Sequence, residues 1–134
     1  MWLLKTEPST YAYDDLEKEK RATWDGVKNP VALRNLREMK EGDATLIYHT
    51  GDEKAVVGTA LVARAAYPDP KSKDPRLYVV DLTPAGRLPR PVTLAEIKQL
   101  PAFADSPLLR QGRLSVVRLT KEQWNAITKQ TTKK

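Results

Sequence analysis

The chain has 134 residues and a formal net charge of +6, from 23 Lys and Arg against 17 Asp and Glu, with one His and no Cys. This length predicts one domain over residues 1–134, and the composition excludes disulfides, thiolate metal sites, a cysteine nucleophile and multi-histidine metal sites. No apolar run approaches the ~18 residues of a membrane span and the N-terminus lacks a signal-peptide pattern, so we expect a soluble, cytoplasmic protein without a membrane partner.

The first third of the chain predicts one strand and two short helices. Residues 1–5 are apolar and predict a strand. Residues 13–20 place acidic side chains first and basic side chains last, which favours a short helix. Residues 23–26 are interpreted as irregular backbone. Asn29, followed by proline, predicts the N-cap of a second helix that ends by Gly42.

The middle of the chain predicts three strands. Residues 44–49, 55–66 and 76–83 are rich in β-branched and aromatic residues, and the second of these segments is long enough to bend at Gly58. The polar, proline-rich segment 68–75 predicts a loop between the last two strands.

Two capping boxes mark helix starts in the last third of the chain. Thr93 with Glu96, and Thr120 with Gln123, predict helices that begin near residues 94 and 121. Residues 114–119 predict one more strand. About five strands and four short helices without regular alternation predict an α+β fold, a small and mostly antiparallel β-barrel with short flanking helices.

The sequence contains no motif typical of a catalytic centre. The six glycines stand apart, so neither a Walker phosphate loop nor a dinucleotide fingerprint is present, and no serine lies in a nucleophile elbow. Adjacent carboxylates such as Asp14 and Asp15 point in different directions and favour a solvated surface. We therefore expect no enzymatic activity, no cofactor and no metal.

Positive charge is concentrated at the C-terminal end and favours a polyanionic partner, because Lys and Arg displace counterions from phosphates. Residues 110–134 contain one acidic residue, Glu122, and seven basic ones: Arg110, Arg113, Arg118, Lys121, Lys129, Lys133 and Lys134. A second basic cluster consists of Lys28, Arg34, Arg37 and Lys40. The alternative is that the C-terminal charges form only a solvated tail.

The three tryptophans differ in their surroundings. Trp124 shares a helix face with Ile127, and Trp2 alternates within an apolar strand, so both predict core packing. Trp24 has polar neighbours and a glycine two residues later, which leaves open a role in lining a ligand site by stacking. Residues 48–50, Tyr-His-Thr, place rings beside a small polar group at a strand end.

Seven short segments form a specific pattern over nearly the whole chain. They are WLLKTEP at 2–8, WDGVKN at 24–29, GD at 42–43, YHT at 48–50, VVG at 56–58, RPVTL at 90–94 and RLSV at 113–116. In this order and spacing the chain resembles the EVE domain family, the relatives of thymocyte nuclear protein. The resemblance implies a PUA-like β-barrel that reads modified bases in DNA, particularly modified cytosines, by flipping the base into an aromatic-lined pocket. It implies no catalytic activity and no metal.

The resemblance also assigns site residues by position. The implied base-binding pocket consists of Lys5, Thr6, Trp24, Val27, Asn29, Tyr48, His49, Thr50, Leu114 and Ser115. Expected phosphate contacts are Lys28, Arg34, Arg37, Arg110 and Arg113. The family usually has Ser, Arg and Ser where this chain has Thr6, Lys28 and Thr50, and Arg34 stands one position later than the usual arginine.

The mechanism that we expect is a cage formed by Trp24 and the strand end at Tyr48 and His49, with phosphates held by the basic surface and binding sensitive to salt. Two alternatives remain at this point. The domain could be an RNA-binding PUA-like module with a preference for single strands or 2′-hydroxyls. It could also bind a free nucleoside or other small planar ligand, with little salt dependence. In each case we expect a monomer.

Overall fold

The centre of the molecule is a six-stranded mixed sheet that forms a half-barrel, seen in a computed structural model that describes residues 1–131. The strands are β1 (Trp2–Thr6), β2 (Ala22–Trp24), β3 (Ala44–His49), β4 (Ala55–Pro68), β5 (Tyr78–Thr93) and β6 (Val116–Arg118). They lie in the order β2-β5-β4-β3-β1-β6, and all neighbouring pairs are antiparallel except β1 with β3. The predicted α+β, mostly antiparallel PUA-like fold is confirmed.

Short helices flank the sheet. They are α1 (Tyr13–Glu19), α2 (Pro30–Glu38), α3 (Leu94–Lys98), α4 (Pro107–Arg110) and α5 (Lys121–Gln130), with one 3₁₀ turn at Pro101–Phe103. Within residues 1–131, no helix is long and apolar enough to cross a membrane.

The capping hydrogen bonds predicted at three helix starts are confirmed. The Asn29 side chain accepts hydrogen bonds from the backbone N–H groups of Val31 and Ala32, which satisfies two donors at the start of α2. Both capping boxes form, at Thr93 for α3 and at Thr120 for α5. Sequence reasoning missed α4, although its start at Ser106 and Pro107 has the same cap-then-proline pattern as α2.

Strand β5 is ten residues longer at its C-terminal end than the predicted segment 76–83. Three prolines in that extension, Pro84, Pro89 and Pro91, argued against a strand. The structure accommodates them because β2 pairs only with residues 80–82 of β5, so one edge of the extension needs no backbone donors.

The interpretation of residues 23–26 as irregular backbone was wrong for its first two residues. Thr23 and Trp24 belong to β2, where Trp24 pairs with Val80. A three-residue edge strand has too few residues to show an alternating pattern, so pairing with β5 determines its structure.

Gly58 allows β4 to bend over a buried tyrosine. The register of the β4–β5 pair shifts between Val56 and Gly58. A Cβ at Gly58 would lie only 2.5 Å from a carbon of the Tyr13 ring. The Tyr13 hydroxyl donates to the Thr59 carbonyl at 2.7 Å and accepts from the Gly86 N–H at 3.1 Å. This close contact fixes the start of α1 against the concave face of the sheet.

The core packing expected of two tryptophans is confirmed. Trp2 is 2% exposed, and its indole N–H donates to the Asp43 carboxylate at 2.9 Å. Trp124 is partly buried and packs against the core from α5, while Ile127 on the same face is fully buried.

Candidate functional site

A cavity of about 670 Å³ opens where β1 and β2 end, and we call it the tryptophan cavity. Its wall is formed by the end of β1, the loop before α1, the chain from the end of α1 through β2, one residue of the β4–β5 loop, and the residue before β6. The lining residues are Lys5, Thr6, Thr10, Tyr11, Glu19, Arg21, Ala22, Thr23, Trp24, Asp25, Gly26, Val27, Lys71 and Ser115. Five of the ten predicted pocket residues therefore share one cavity: Lys5, Thr6, Trp24, Val27 and Ser115.

Two aromatic rings form a rigid corner of the tryptophan cavity. Trp24 is 8% exposed, and its ring meets the Tyr11 ring edge to face, with centroids 5.7 Å apart and planes at 88°. Backbone pairing to β5 and packing of the ring hold Trp24 in place, which lowers the entropic cost of stacking a planar ligand. Trp24 thus combines core packing with a position at the cavity wall.

The Tyr11 hydroxyl is a buried polar group beside this corner, with the Glu19 carboxylate as its neighbour. The oxygen is buried, and among residues 1–131 nothing lies within hydrogen-bond geometry of it. Burial, together with the negative charge of nearby Glu19, raises the pKa of Tyr11 to about 12, so the hydroxyl keeps its proton.

Lys5 is a partly buried residue that lines the tryptophan cavity, and its ammonium contacts Gly112 and Tyr48, which do not line the cavity. Its Nζ donates to the Gly112 carbonyl at 2.9 Å and lies 5.8 Å from the centroid of the Tyr48 ring. Burial lowers the pKa of Lys5. The neighbouring Thr6 hydroxyl donates to the Tyr11 carbonyl at 2.7 Å, so its lone pairs remain available as acceptors.

An ion pair supports the β2 side of the cavity. Arg21 contacts Asp81 at 3.0 Å, and the hydroxyls of Thr23 and Tyr67 also donate to this carboxylate. Burial opposes ionisation of Asp81, but the three hydrogen bonds outweigh it and the pKa of Asp81 is lowered. Sequence reasoning missed Tyr11 and Lys71, which come from loops distant from Trp24 in the chain, and it also missed Arg21, three residues before Trp24.

Tyr48, Thr50 and His49 lie outside the tryptophan cavity. Tyr48 and Thr50 line a separate depression of about 270 Å³, which shares Lys5 with the tryptophan cavity. His49 is 6% exposed: its Nε2 accepts from the Tyr13 N–H at 3.0 Å and its Nδ1 lies 2.6 Å from a Glu53 oxygen. The structure thus places Trp24 and residues 48–49 in different depressions, and both ring nitrogens of His49 contact other parts of the protein, so a cage formed by these residues stays a prediction.

Two further predicted pocket residues also have structural partners. The Asn29 oxygen caps α2, as described above, and Leu114 is a core residue with 4% exposure. Neither lines the tryptophan cavity, so a role in contacting a base stays a prediction for both.

Three of the five predicted phosphate contacts line one surface depression of about 720 Å³, which we call the basic cleft. Lys28, Arg34 and Arg37 are exposed there, and within residues 1–131 none of them forms an ion pair. The floor is apolar: Leu33, Leu77 and Tyr78. Unneutralised cations around an apolar floor favour an anionic ligand that also has a flat apolar part.

The remaining basic residues lie elsewhere. Arg110 is 3.8 Å from Asp105, and Arg113 is exposed but lines neither the cavity nor the cleft. The predicted basic tail includes Lys133 and Lys134, which lie outside the described residues. In the described part of the chain, no three His, Asp or Glu side chains are grouped closely enough to hold a metal ion.

The sequence matches a family model described as EVE domain over residues 1–130. Thymocyte nuclear protein 1 of Mus musculus is 31% identical, covering 94% of this chain and 71% of that protein. The solved structure of Rpa0253 from Rhodopseudomonas palustris is similar with a TM-score of 0.89 and 37% identity, covering 96% of this chain and 90% of that one.

A further similar structure includes a ligand. Human THYN1, solved in complex with DNA that contains 5-methylcytosine, has a TM-score of 0.88 and 28% identity to this chain, covering 99% of this chain and 98% of that one. The similarity therefore covers nearly the whole of both chains.

Proposed function

The chain belongs to the EVE domain family, and from this premise we propose that it is a DNA-binding module without catalytic activity that reads a modified base, a modified cytosine above all. The base would leave the duplex and enter the tryptophan cavity. The observation that carries the proposal is the rigid Trp24–Tyr11 corner within a cavity that also holds Lys5 and Thr6. The human relative solved with 5-methylcytosine DNA supports it.

The cavity offers polar groups that complement a cytosine edge. Cytosine has an amino donor and ring acceptors. The Thr6 hydroxyl, already donating to Tyr11, can accept from the amino group, and the Lys5 ammonium has N–H groups beyond the one used by Gly112. Ser115, whose carbonyl accepts from the Lys5 N–H, adds a hydroxyl-bearing side chain to the lining. Selection of the base would come from these groups, and Trp24 would supply stacking.

Electrostatic attraction must contribute to the binding energy. Extruding a base costs a few kcal/mol and stacking on an aromatic ring returns about 1–3 kcal/mol, so contacts to phosphates supply the remainder. The basic cleft, with Lys28, Arg34 and Arg37, is our proposed phosphate surface. Because burying one methyl group adds only about 0.8 kcal/mol, or roughly fourfold in affinity, a polar mark would be distinguished more sharply than a methyl mark.

The test is fluorescence anisotropy with short duplexes that differ at one cytosine: unmodified, methylated or hydroxymethylated, each at two salt concentrations. We expect a modified duplex to bind more tightly. Trp24→Ala should remove that preference, and Trp24→Phe, which keeps a ring in the core, should reduce it. The matched control is Trp124→Phe, because Trp124 packs against the core on α5 and does not line the tryptophan cavity.

Equal binding of all duplexes by the wild-type protein would contradict the proposal. So would a modified-base preference that survives in a folded Trp24→Ala variant, with folding checked by circular dichroism. Salt-independent binding of a free nucleoside would instead favour a small-ligand pocket, and preference for single-stranded RNA would favour an RNA-binding module.

A further inference from the structure

Besides its basic residues, the basic cleft contains an arginine that is stacked on a tyrosine. Its apolar floor includes the Tyr78 ring, and the Arg37 guanidinium lies over that ring, 4.6 Å from the centroid. Stacking on tyrosine fixes one face of the guanidinium plane and leaves Arg37 exposed to solvent. A planar guanidinium held in this way is a platform on which a nucleobase can stack.

The cleft also contains charge that no protein group neutralises. Arg76 lines it, but Arg76 forms a bidentate pair with Asp74, at 3.1 and 2.9 Å. Lys28 and Arg34 have no such acidic partner in residues 1–131. The cleft is thus positive at its rim and apolar at its floor. The rim complements the negative phosphate of a nucleotide, and the floor complements its flat base.

The basic cleft and the tryptophan cavity are lined by neighbouring residues at two places in the chain. Along the chain, Val27 lines the cavity and Lys28 lines the cleft, and consecutive Cα atoms are about 3.8 Å apart. The β4–β5 loop repeats the arrangement, with Lys71 in the cavity and residues 74–78 in the cleft. The cleft therefore lies next to the cavity along two segments of the chain, which is where the nucleotide adjoining a base in the cavity would be expected.

We propose that the basic cleft is a second nucleotide subsite, which binds the nucleotide next to the flipped base in the same strand. The base of that nucleotide stacks on the guanidinium plane of Arg37, and its phosphate lies against Lys28 and Arg34. This inference rests on the proposed function, and it adds that the protein reads two adjoining positions, with one base in each site.

The experiment uses duplexes that contain one modified cytosine and, on its 5′ or 3′ side, either a normal nucleotide or an abasic analogue that keeps the phosphate. Anisotropy gives the ratio of the two affinities for the wild-type protein. We expect the abasic analogue on one side to weaken binding at least about fivefold, the lower end of the range for one stacked base.

Arg37→Lys keeps the charge and removes the plane. We expect it to reduce the abasic effect to less than about twofold. Because an abasic neighbour also makes base extrusion easier, the informative quantity is the difference between the two proteins, in which that contribution cancels. The matched control is Arg64→Lys, which makes the same change at an arginine that stacks 3.8 Å over the centroid of Tyr67, away from the cleft.

Equal abasic effects in the wild-type and Arg37→Lys proteins would overturn the inference and reduce the cleft to a phosphate surface. Arg34→Gln distinguishes the two contributions, because it should lower the salt dependence and leave the abasic effect in place. The proposed function is tested separately in the same experiment by the wild-type ratio for modified over unmodified cytosine. If the wild-type protein prefers modified over unmodified cytosine but shows no abasic effect on either side, only the second subsite is refuted.

Discussion

Replacing Gly58 with alanine tests how closely α1 is fitted to the sheet. The added methyl group would lie 2.5 and 2.6 Å from two carbons of the Tyr13 ring, well inside contact distance. Tyr13 is 1% exposed and its hydroxyl is held by two backbone hydrogen bonds, so the ring cannot move without losing them. Overpacking costs about 1–3 kcal/mol and each of the two lost hydrogen bonds about 0.5–1.5 kcal/mol, so we expect Gly58→Ala to lower the free energy of unfolding by about 2–6 kcal/mol.

The assay is urea denaturation followed by tryptophan fluorescence and circular dichroism. Gly112→Ala is the matched control, since a Cβ there meets no atom within 4 Å and the change should stay within about 0.5 kcal/mol. If Gly58→Ala is as stable as Gly112→Ala, the tight contact between β4 and Tyr13 is refuted.

Three other predictions concern single side chains. Thr45 is fully buried and its hydroxyl has no partner among the described residues, so Thr45→Val should raise the free energy of unfolding by about 1 kcal/mol; a loss of stability in urea denaturation would contradict this. His49→Ala should lower the free energy of unfolding by about 1–3 kcal/mol, because the Tyr13 N–H loses its acceptor. The same variant should keep the preference for modified cytosine in anisotropy, and a lost preference would place His49 in the base site. The hydrogen-bonded Arg90 guanidinium lowers the pKa of Glu96 from 4.5 to about 2. The ionised Glu96 therefore stabilises the fold fully above pH 4.5, and this contribution to the free energy of unfolding is lost as the pH falls from about 4.5 towards 2. Urea denaturation across that window should show a weaker pH dependence for Glu96→Gln, and identical pH profiles would refute the assignment.

The sequence predicted those parts of the fold that are encoded locally. Asn29, Thr93 and Thr120 all cap helices as expected, because a capping side chain bonds to backbone only two or three residues away. The extension of β5 through three prolines was not predictable in this way. Whether a proline is tolerated in a strand depends on which edge is paired, and that depends on where β2 lies.

The candidate site also has residues that the sequence predicted and residues that only the tertiary structure brings together. The family pattern supplied Lys5, Thr6, Trp24 and Ser115, which the fold brings to one cavity from separate strands and loops. It could not separate His49 from them, although both of its ring nitrogens have structural partners. Tyr11, whose ring contacts Trp24, was missed because twelve residues of intervening chain, including α1, hide the proximity of the two rings.

The place of β1 in the sheet has a consequence for the order in which the protein is assembled on the ribosome. One edge of β1 pairs with β3, but its other edge pairs with β6, and the Lys5 N–H donates to the Ser115 carbonyl at 2.9 Å. Synthesis proceeds from the N-terminus at about 5–20 residues per second, so the first strand waits several seconds for its last neighbour. Until then β1 exposes an unpaired apolar edge of the kind that promotes aggregation, and the tryptophan cavity lacks the wall that contains Ser115. A nascent chain interrupted before β6 would therefore be prone to associate and would have an incomplete tryptophan cavity.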